Sequence, residues 1–189
     1  FAQKEFTVFE RALTQFRVVI YYLSLIGYPN PSRLNLDYDF PLSVSLLEPV
    51  STLLSAIGLV VLMGLAVVLA KKHRLISFCI FWFLGNLVIE SSIIPLAIIF
   101  EHRLYLPSML VWLVPIILIR RYVHVNWLII GLGCVLLITF SYWTYERNKV
   151  WKDAVTLWKD VIDKSPKKAR PYQNLGLALS RDGRDKEAI

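Results

Sequence analysis

The sequence predicts an all-α membrane protein, in which a polytopic bundle of transmembrane helices is followed by the start of a helical repeat array. Three observations predict it: long apolar blocks, short basic runs between them, and a periodic pattern in the tail. Of the 189 residues, 56% are hydrophobic and 19% are charged, against roughly 25% charged in average soluble domains. The apolar blocks are too long for a single soluble core, which favours a membrane.

We predict a membrane domain over residues 1–145 with about five spans. These spans are predicted at residues 6–28, 49–70, 75–89, 104–119 and 125–142. The second is the clearest, because it carries no charge and reaches the roughly 20 residues that cross a bilayer. The run Ile93–Phe100 is too short to cross and contains a proline, so it predicts a re-entrant or interfacial segment.

Basic residues predict the orientation of this domain. Most of the basic residues between the spans lie in two short loops: Lys71, Lys72, Arg74, Arg120 and Arg121. The positive-inside rule places these loops in the cytoplasm, so residues 29–48, Glu101–Pro107 and the tail after Tyr142 are predicted to face the other side. The net charge of +7 is therefore attributed to topology and not to nucleic-acid binding. We expect a multi-pass protein of a bacterial inner membrane, or of the endoplasmic reticulum in a eukaryote.

The tail, residues 146–189, follows the 34-residue spacing of tetratricopeptide (TPR) repeats. Small and large residues stand at the positions that this pattern fixes: Ala154, Trp158, Pro166, Tyr172, Leu175, Gly176, Leu179, Gly183 and Ala188. The pattern predicts helices with turns near Ser165–Pro166 and Asp182–Gly183; the alternative is an unrelated amphipathic helix pair. Because about three repeats are needed for stability, we expect the array to continue beyond Ile189 in a longer protein.

Two polar residues fall inside the first predicted span. Arg17 is predicted on the order of 16 Å from the Tyr28 end, near the middle of the membrane. An arginine there costs about 2.5–3.5 kcal/mol on insertion scales, so it usually faces a polar partner or cavity. Gln15 is interpreted in the same way. The alternative is that Arg17 reaches the cytoplasmic surface.

The outward loop carries two acids, Asp37 and Asp39, that point the same way in an extended chain. Such a pair could hold a divalent metal or act as acid and base. Without a third ligand, a solvated acidic loop is the better reading. The two cysteines, Cys79 and Cys134, lie in apolar segments and predict neither a metal site nor a disulfide.

The segment from Glu101 to Pro107 offers the best candidate chemistry. Glu101, His102, Arg103 and Tyr105 place an acid, an imidazole, a guanidinium and a phenol beside the predicted membrane surface. Arginine binds phosphate with two parallel hydrogen bonds, and an imidazole adds a donor. The group therefore suits an anionic lipid headgroup; the alternative is ordinary interfacial anchoring.

Three stretches carry a family resemblance, in this order: Thr14–Arg17 leading to Leu34–Pro41, then Glu101–Ser108, then the spans that lead into Trp151–Asp153 and the repeats. Together they resemble the back half of the membrane domain of the transmembrane and TPR-containing O-mannosyltransferases and their bacterial relatives. The resemblance implies part of a GT-C-type fold that transfers a sugar, usually mannose, from a polyprenyl-phosphate donor to protein hydroxyls outside the cytoplasm.

The same resemblance assigns donor-phosphate binding to His102 and Arg103, supported by Glu101 and Tyr105. It implies that the catalytic acidic loop lies upstream of this chain and that the repeats bind acceptor or partner proteins. Two other functions stay open: an oligosaccharide transferase of the O-antigen-ligase type, and a non-catalytic scaffold. The sequence upstream separates the three functions. An acidic pair in the first outward loop favours the glycosyltransferase, and a much larger central outward loop favours the ligase. Upstream spans without polar residues favour the scaffold.

We predict that reporter fusions after Arg74 and after Lys149 report opposite sides of the membrane. The physical reason is the excess of Lys and Arg in the two short loops. Two reporters measure this directly, one that is active only in the cytoplasm and one that is active only outside it. Cytoplasmic activity of the fusion after Lys149 contradicts the topology.

Overall fold

The computed structural model describes residues 7–90, 98–123 and 125–188, and within these ranges it is all-α, with no strand. The helices are α1 Val8–Gly27, α2 Ser51–Lys72, α3 Arg74–Glu90, α4 Tyr105–Ser108, α5 Leu113–Tyr122, α6 Asn126–Val150, α7 Ala154–Lys164, α8 Ala169–Arg181 and α9 Asp185–Ala188. Two 3-10 turns, Pro31–Arg33 and Glu101–Leu104, complete the description. Most of the predicted re-entrant segment, residues 93–97, lies outside the described residues.

The chain forms two compact units. The first unit comprises Phe1–Tyr28 and Phe40–Ile129, and the second comprises Pro29–Asp39 and Ile130–Ile189. Each has its own packing and is described separately below.

Two helices in the described residues are long and apolar enough to cross a membrane: α2, with mean hydropathy 2.8, and Trp127–Val150 of α6, with 1.8. A bent pair, Glu101–Ser108 with Leu113–Tyr122, makes a third candidate. The protein thus has two to three candidate spans. Because α1 carries three charged residues and α3 is shorter, the full set of five stays a prediction.

Two helices differ in extent from the predicted segments. The fourth span, 104–119, is not one straight helix, because turns at residues 109–112 separate α4 from α5 with a bend of 46°. Pro107 and Pro115 flank this break, and each lacks the N–H that would continue the helix. The border at residue 145 falls inside α6, which runs on to Val150 because neither proline nor glycine interrupts it after Gly133.

In the first unit, the chain that follows α1 turns back and runs beside α1. The Nη1 atom of Arg17 donates to the carbonyl of Pro41 at 2.8 Å. The backbone N–H of Ser43 donates to Oγ1 of Thr14, one turn earlier in α1, at 2.8 Å. The chain therefore runs from Pro41 to Ser43 opposite to the direction of α1.

As a result, α2 begins beside Thr14 and not beside the end of α1. The hydroxyl of Thr52 donates to Oγ of Ser43 at 2.8 Å. Further along, a Cβ on Gly58 would lie 3.8 Å from Cδ1 of Ile20. Both contacts advance in the same direction, so α1 and α2 are parallel. The long connection between the two helices allows this arrangement, because the chain returns along α1 before α2 begins.

Helix α3 returns along α2, since the hydroxyl of Ser77 donates to the carbonyl of Ala66 at 2.7 Å. Helix α5 ends at the α2–α3 turn, where Nη1 of Arg121 lies 3.4 Å from the ring nitrogens of His73. The two basic turns, Lys71–Arg74 and Arg120–Arg121, therefore meet at one end of the first unit, as their charge predicts. We call it the basic end, and we call the opposite end, where α2 begins, the polar end.

In the second unit, α7 and α8 form a hairpin around a small apolar cluster. Its buried members are Val155, Ala178 and Leu179, with Trp158 and Leu175 packed against them. The turns lie where the repeat pattern predicts them, and Gly183 closes α8 with φ of 73°, a conformation that favours glycine.

An acidic cap begins α7. Asp153 accepts a hydrogen bond from the backbone N–H of Thr156 at 2.7 Å, which satisfies one of the donors left open at a helix start. Hydrogen bonds from the Thr156 side chain and backbone lower the pKa of Asp153 below its ordinary value. The cap is therefore charged at neutral pH and is lost only as the pH falls through this lowered pKa.

We predict that Leu179→Ala loosens the α7–α8 hairpin, whereas Leu177→Ala does not. Leu179 is 4% exposed inside the cluster and Leu177 is 53% exposed, so only the first leaves a cavity, at a cost of about 2–5 kcal/mol. Amide hydrogen exchange of α7 in the full chain measures the difference. Equal protection in the two variants contradicts this packing.

Candidate functional site

The segment that leads to the predicted donor site is held along the buried face of α1. The Tyr22 hydroxyl donates to the carbonyl of Phe100 at 3.1 Å and accepts from its N–H at 3.0 Å. Nε2 of Gln15 donates to the carbonyl of Ile98 at 3.2 Å. Gln15, predicted to line a polar site, thus binds backbone, and it positions the chain just before Glu101.

Arg103 points into the protein, and a second arginine lies near it. Arg103 is 8% exposed and Arg11 only 1%. The guanidinium carbon of Arg103 lies 5.2 Å from the centroid of the Phe100 ring, and the two arginines are close enough for an unfavourable Coulomb interaction. Two cationic side chains that are distant in sequence therefore lie near each other in the interior of the first unit.

Sequence reasoning missed Arg11, although a signal was available. Arg11, Gln15 and Tyr22 recur at helical spacing, so they share one face of α1. That face also carries the buried apolar residues Val18 and Leu25. Polar residues on the apolar face of a helix indicate an inward-facing polar site.

The other members of the predicted donor site lie nearer the surface. His102 is exposed, with its ring stacked on Phe100 at a centroid distance of 5.1 Å. Tyr105 is 79% exposed, and Glu101 is half-buried. Phe100 is thus in contact with both His102 and Arg103, whereas Tyr105 faces away from the protein interior.

Arg17 lies level with the first turns of α2, and its depth in a membrane stays a prediction. It has the polar partners that the sequence predicts: the carbonyl of Pro41, Oγ of Ser43 at 3.4 Å and the ring of Phe40 at 4.8 Å. These contacts hold the returning chain, which makes Arg17 a structural residue of the polar end.

In the second unit, the acidic loop is anchored to the end of α7. Nζ of Lys164 donates to the carbonyls of Pro31 and Leu34, each at 2.9 Å. Oγ of Ser165 accepts from Nδ2 of Asn35 at 2.8 Å and from the backbone N–H of Asp39 at 3.1 Å. Four hydrogen bonds therefore fix the backbone that carries the two predicted acids.

The acids themselves remain at the surface, with Asp37 half-buried and Asp39 exposed. In the part of the chain that the structure describes, no group of three or more His, Cys, Asp or Glu residues could hold a metal ion. The divalent metal considered from the sequence thus finds no complete ligand set there.

One carboxylate joins α6 and α7. Asp160 accepts from Nη1 of Arg147 at 2.8 Å and from Nζ of Lys164 at 2.7 Å. Arg147 also lies over the ring of Trp151, at 5.8 Å. Its Nε and Nη2 atoms are buried and make no hydrogen bond within the described ranges. Asp160 therefore supplies one negative charge between two cations.

Comparison of the chain with protein families, with curated proteins and with solved structures finds no match in any of the three.

We predict that Asp160→Asn releases the acidic loop, because Lys164 loses the charge that orients it. Hydrogen bonds to charged groups contribute about 1.5–3 kcal/mol, so hydrogen exchange of the Asp39 amide should accelerate by about tenfold or more. Asp163→Asn is the control, since Asp163 is exposed on the same helix. Unchanged exchange in Asp160→Asn, or equal acceleration in both variants, contradicts the anchor.

Proposed function

We propose that the chain is part of a membrane glycosyltransferase that takes a sugar, mannose in the simplest case, from a polyprenyl-phosphate donor and attaches it to protein hydroxyls. One observation carries the proposal: two buried guanidiniums, Arg11 and Arg103, lie within electrostatic reach of each other at the polar end of the first unit.

A phosphate suits this arrangement on physical grounds. A phosphate that reaches both guanidiniums gains a charge-assisted attraction to each of them. Arg103 offers the planar fork that matches phosphate oxygens, and Arg11 supplies the second charge. The exposed His102 adds a donor toward the membrane surface, while Glu101 orients the arginine.

The direction of the first unit agrees with this use. The polar end is opposite the basic end, so a cytoplasmic basic end leaves the polar end at the outer surface. A lipid-linked sugar that is used outside the cytoplasm has its phosphate at that surface. In this proposal Gln15 and Tyr22 are positioning residues, because they bind the backbone of residues 98–100.

The tail supports the acceptor half of the proposal. The hairpin of α7 and α8 has the helix lengths, the turns and the small apolar cluster that a TPR unit needs. In a multi-pass GT-C-type protein with about five spans in this part, such an array would bind acceptor or partner proteins.

A second candidate is a non-catalytic, membrane-anchored scaffold. The anchor between the acidic loop and α7 favours it, because a repeat array fixed by Lys164 and Ser165 would hold partners in a set orientation. This candidate predicts no binding of a lipid-linked sugar at Arg103.

We predict that Arg103→Ala weakens binding of polyprenyl-phosphate mannose by roughly one to two orders of magnitude, since a charge-assisted hydrogen bond is worth about 1.5–3 kcal/mol. Arg103→Lys should restore binding only in part, because lysine lacks the planar fork. Arg11→Ala should weaken it less than Arg103→Ala. Equilibrium binding of labelled donor to the full chain in lipid nanodiscs measures all three.

The matched control is Arg120→Ala, which removes an exposed arginine at the basic end. It should leave donor affinity unchanged. Wild-type affinity in both Arg103→Ala and Arg11→Ala, with helical content intact, overturns the donor site and leaves the scaffold as the better function.

A further inference from the structure

The first unit contains an apolar cavity of about 540 Å³ between α1, α2, α3 and α5. Its walls are mostly aliphatic and aromatic; they include Leu62, Leu65, Leu69, Ile80, Phe83 and Val114. The volume lies within the roughly 300–1,000 Å³ of ordinary ligand pockets. The cavity lies apart from Arg103, so the proposed function does not use it.

The cavity is about as deep as one leaflet of a bilayer. Along α2 it reaches from Leu62 to His73, which is roughly 16 Å at about 1.5 Å per residue. Half of a hydrocarbon core is roughly 15 Å. A chain that lies in the cavity from the basic end inward therefore spans the leaflet of that side.

The end of the cavity at the membrane surface is cationic. His73 and Arg121 both line it, and Nη1 of Arg121 lies 3.4 Å from both ring nitrogens of His73. The segments 49–89 and 102–145 contain no Asp or Glu at all, so no carboxylate of these helices competes for Arg121. An apolar slot with a cationic rim complements an anionic amphiphile in both shape and charge.

We propose that this cavity binds an anionic phospholipid of the leaflet at the basic end, with one acyl chain between the helices and the phosphate on Arg121 and His73. The bilayer is as apolar as the cavity, so burying the chain contributes little selectivity. The headgroup charge provides the selectivity, which distinguishes this site from a nonspecific greasy surface. The proposal stands or fails independently of the donor site.

The test is lipid retention by the full chain, measured by native mass spectrometry after exposure to equal amounts of phosphatidylglycerol and phosphatidylcholine with the same acyl chains. We expect the wild type to retain one phosphatidylglycerol with about tenfold preference. Arg121→Ala should reduce that retention by about tenfold, as loss of a charge-assisted bond implies. Arg120→Ala is the matched control and should change it less than twofold, because Arg120 does not line the cavity.

A second pair of variants tests the cavity itself without changing charge. Val114→Trp fills the slot and should abolish retention, whereas Ile116→Trp, at an exposed position outside the lining, should retain lipid as the wild type does. Equal losses in Arg120→Ala and Arg121→Ala, unchanged retention in Val114→Trp, or no lipid bound by the wild type each overturn the proposal.

Discussion

The hydrogen bonds around Ser43 determine how the first unit is built. Thr14, Ser43 and Thr52 are all completely buried, and each is hydrogen-bonded to another of the three. Unsatisfied polar groups are costly in an apolar interior, and most of all in a membrane. Any sliding of α1 along α2 would break these bonds at once, so they fix the parallel arrangement of the two helices. That arrangement, in turn, brings Arg11 to the end opposite the basic turns.

The two ends of the first unit thus carry positive charge in different physical settings. At the basic end the cations are mostly exposed, so water satisfies them at little cost and they act through orientation and lipid headgroups. At the polar end Arg11 and Arg103 are buried, where a cation must be held by specific neighbours. Positive charge therefore meets water and lipid headgroups at one end of the first unit and the protein interior at the other.

The sequence predicts the features that depend on residues close to each other in the chain. Helix α2 is recognisable because its apolar run is uninterrupted, and the tail hairpin because its spacing is local. The direction of α1 relative to α2 could not be predicted, because periodicity identifies a helix but not the path of the chain that follows it. That depends on the bond that Arg17 donates to Pro41 and on the bond that Thr14 accepts from Ser43, both with residues more than twenty positions away. The break between α4 and α5 near Met109 depends on the combined effect of Pro107 and Pro115, which flank it.

In the candidate site too, the sequence indicates residues in local clusters but not contacts between residues distant in sequence. Arg103 stands in a cluster of polar residues next to each other in sequence, so the sequence singles it out as a candidate. Arg11 lies near it in the fold although it comes more than ninety positions earlier in the chain, and it was missed. In the second unit, the sequence predicted only a turn near Ser165 and assigned no role to Lys164. Their hydrogen bonds to the acidic loop are long-range in sequence and left no local pattern.

The anchor on α7 also changes how the acidic loop can act. Ordering a free loop on binding costs conformational entropy, about 1–2 kcal/mol for each backbone position that is fixed. Here Ser165 already holds the N–H of Asp39, and Lys164 already holds two carbonyls of the same loop. A cationic partner of Asp37 or Asp39 therefore meets a preorganised backbone, and less of its binding energy is spent on ordering it.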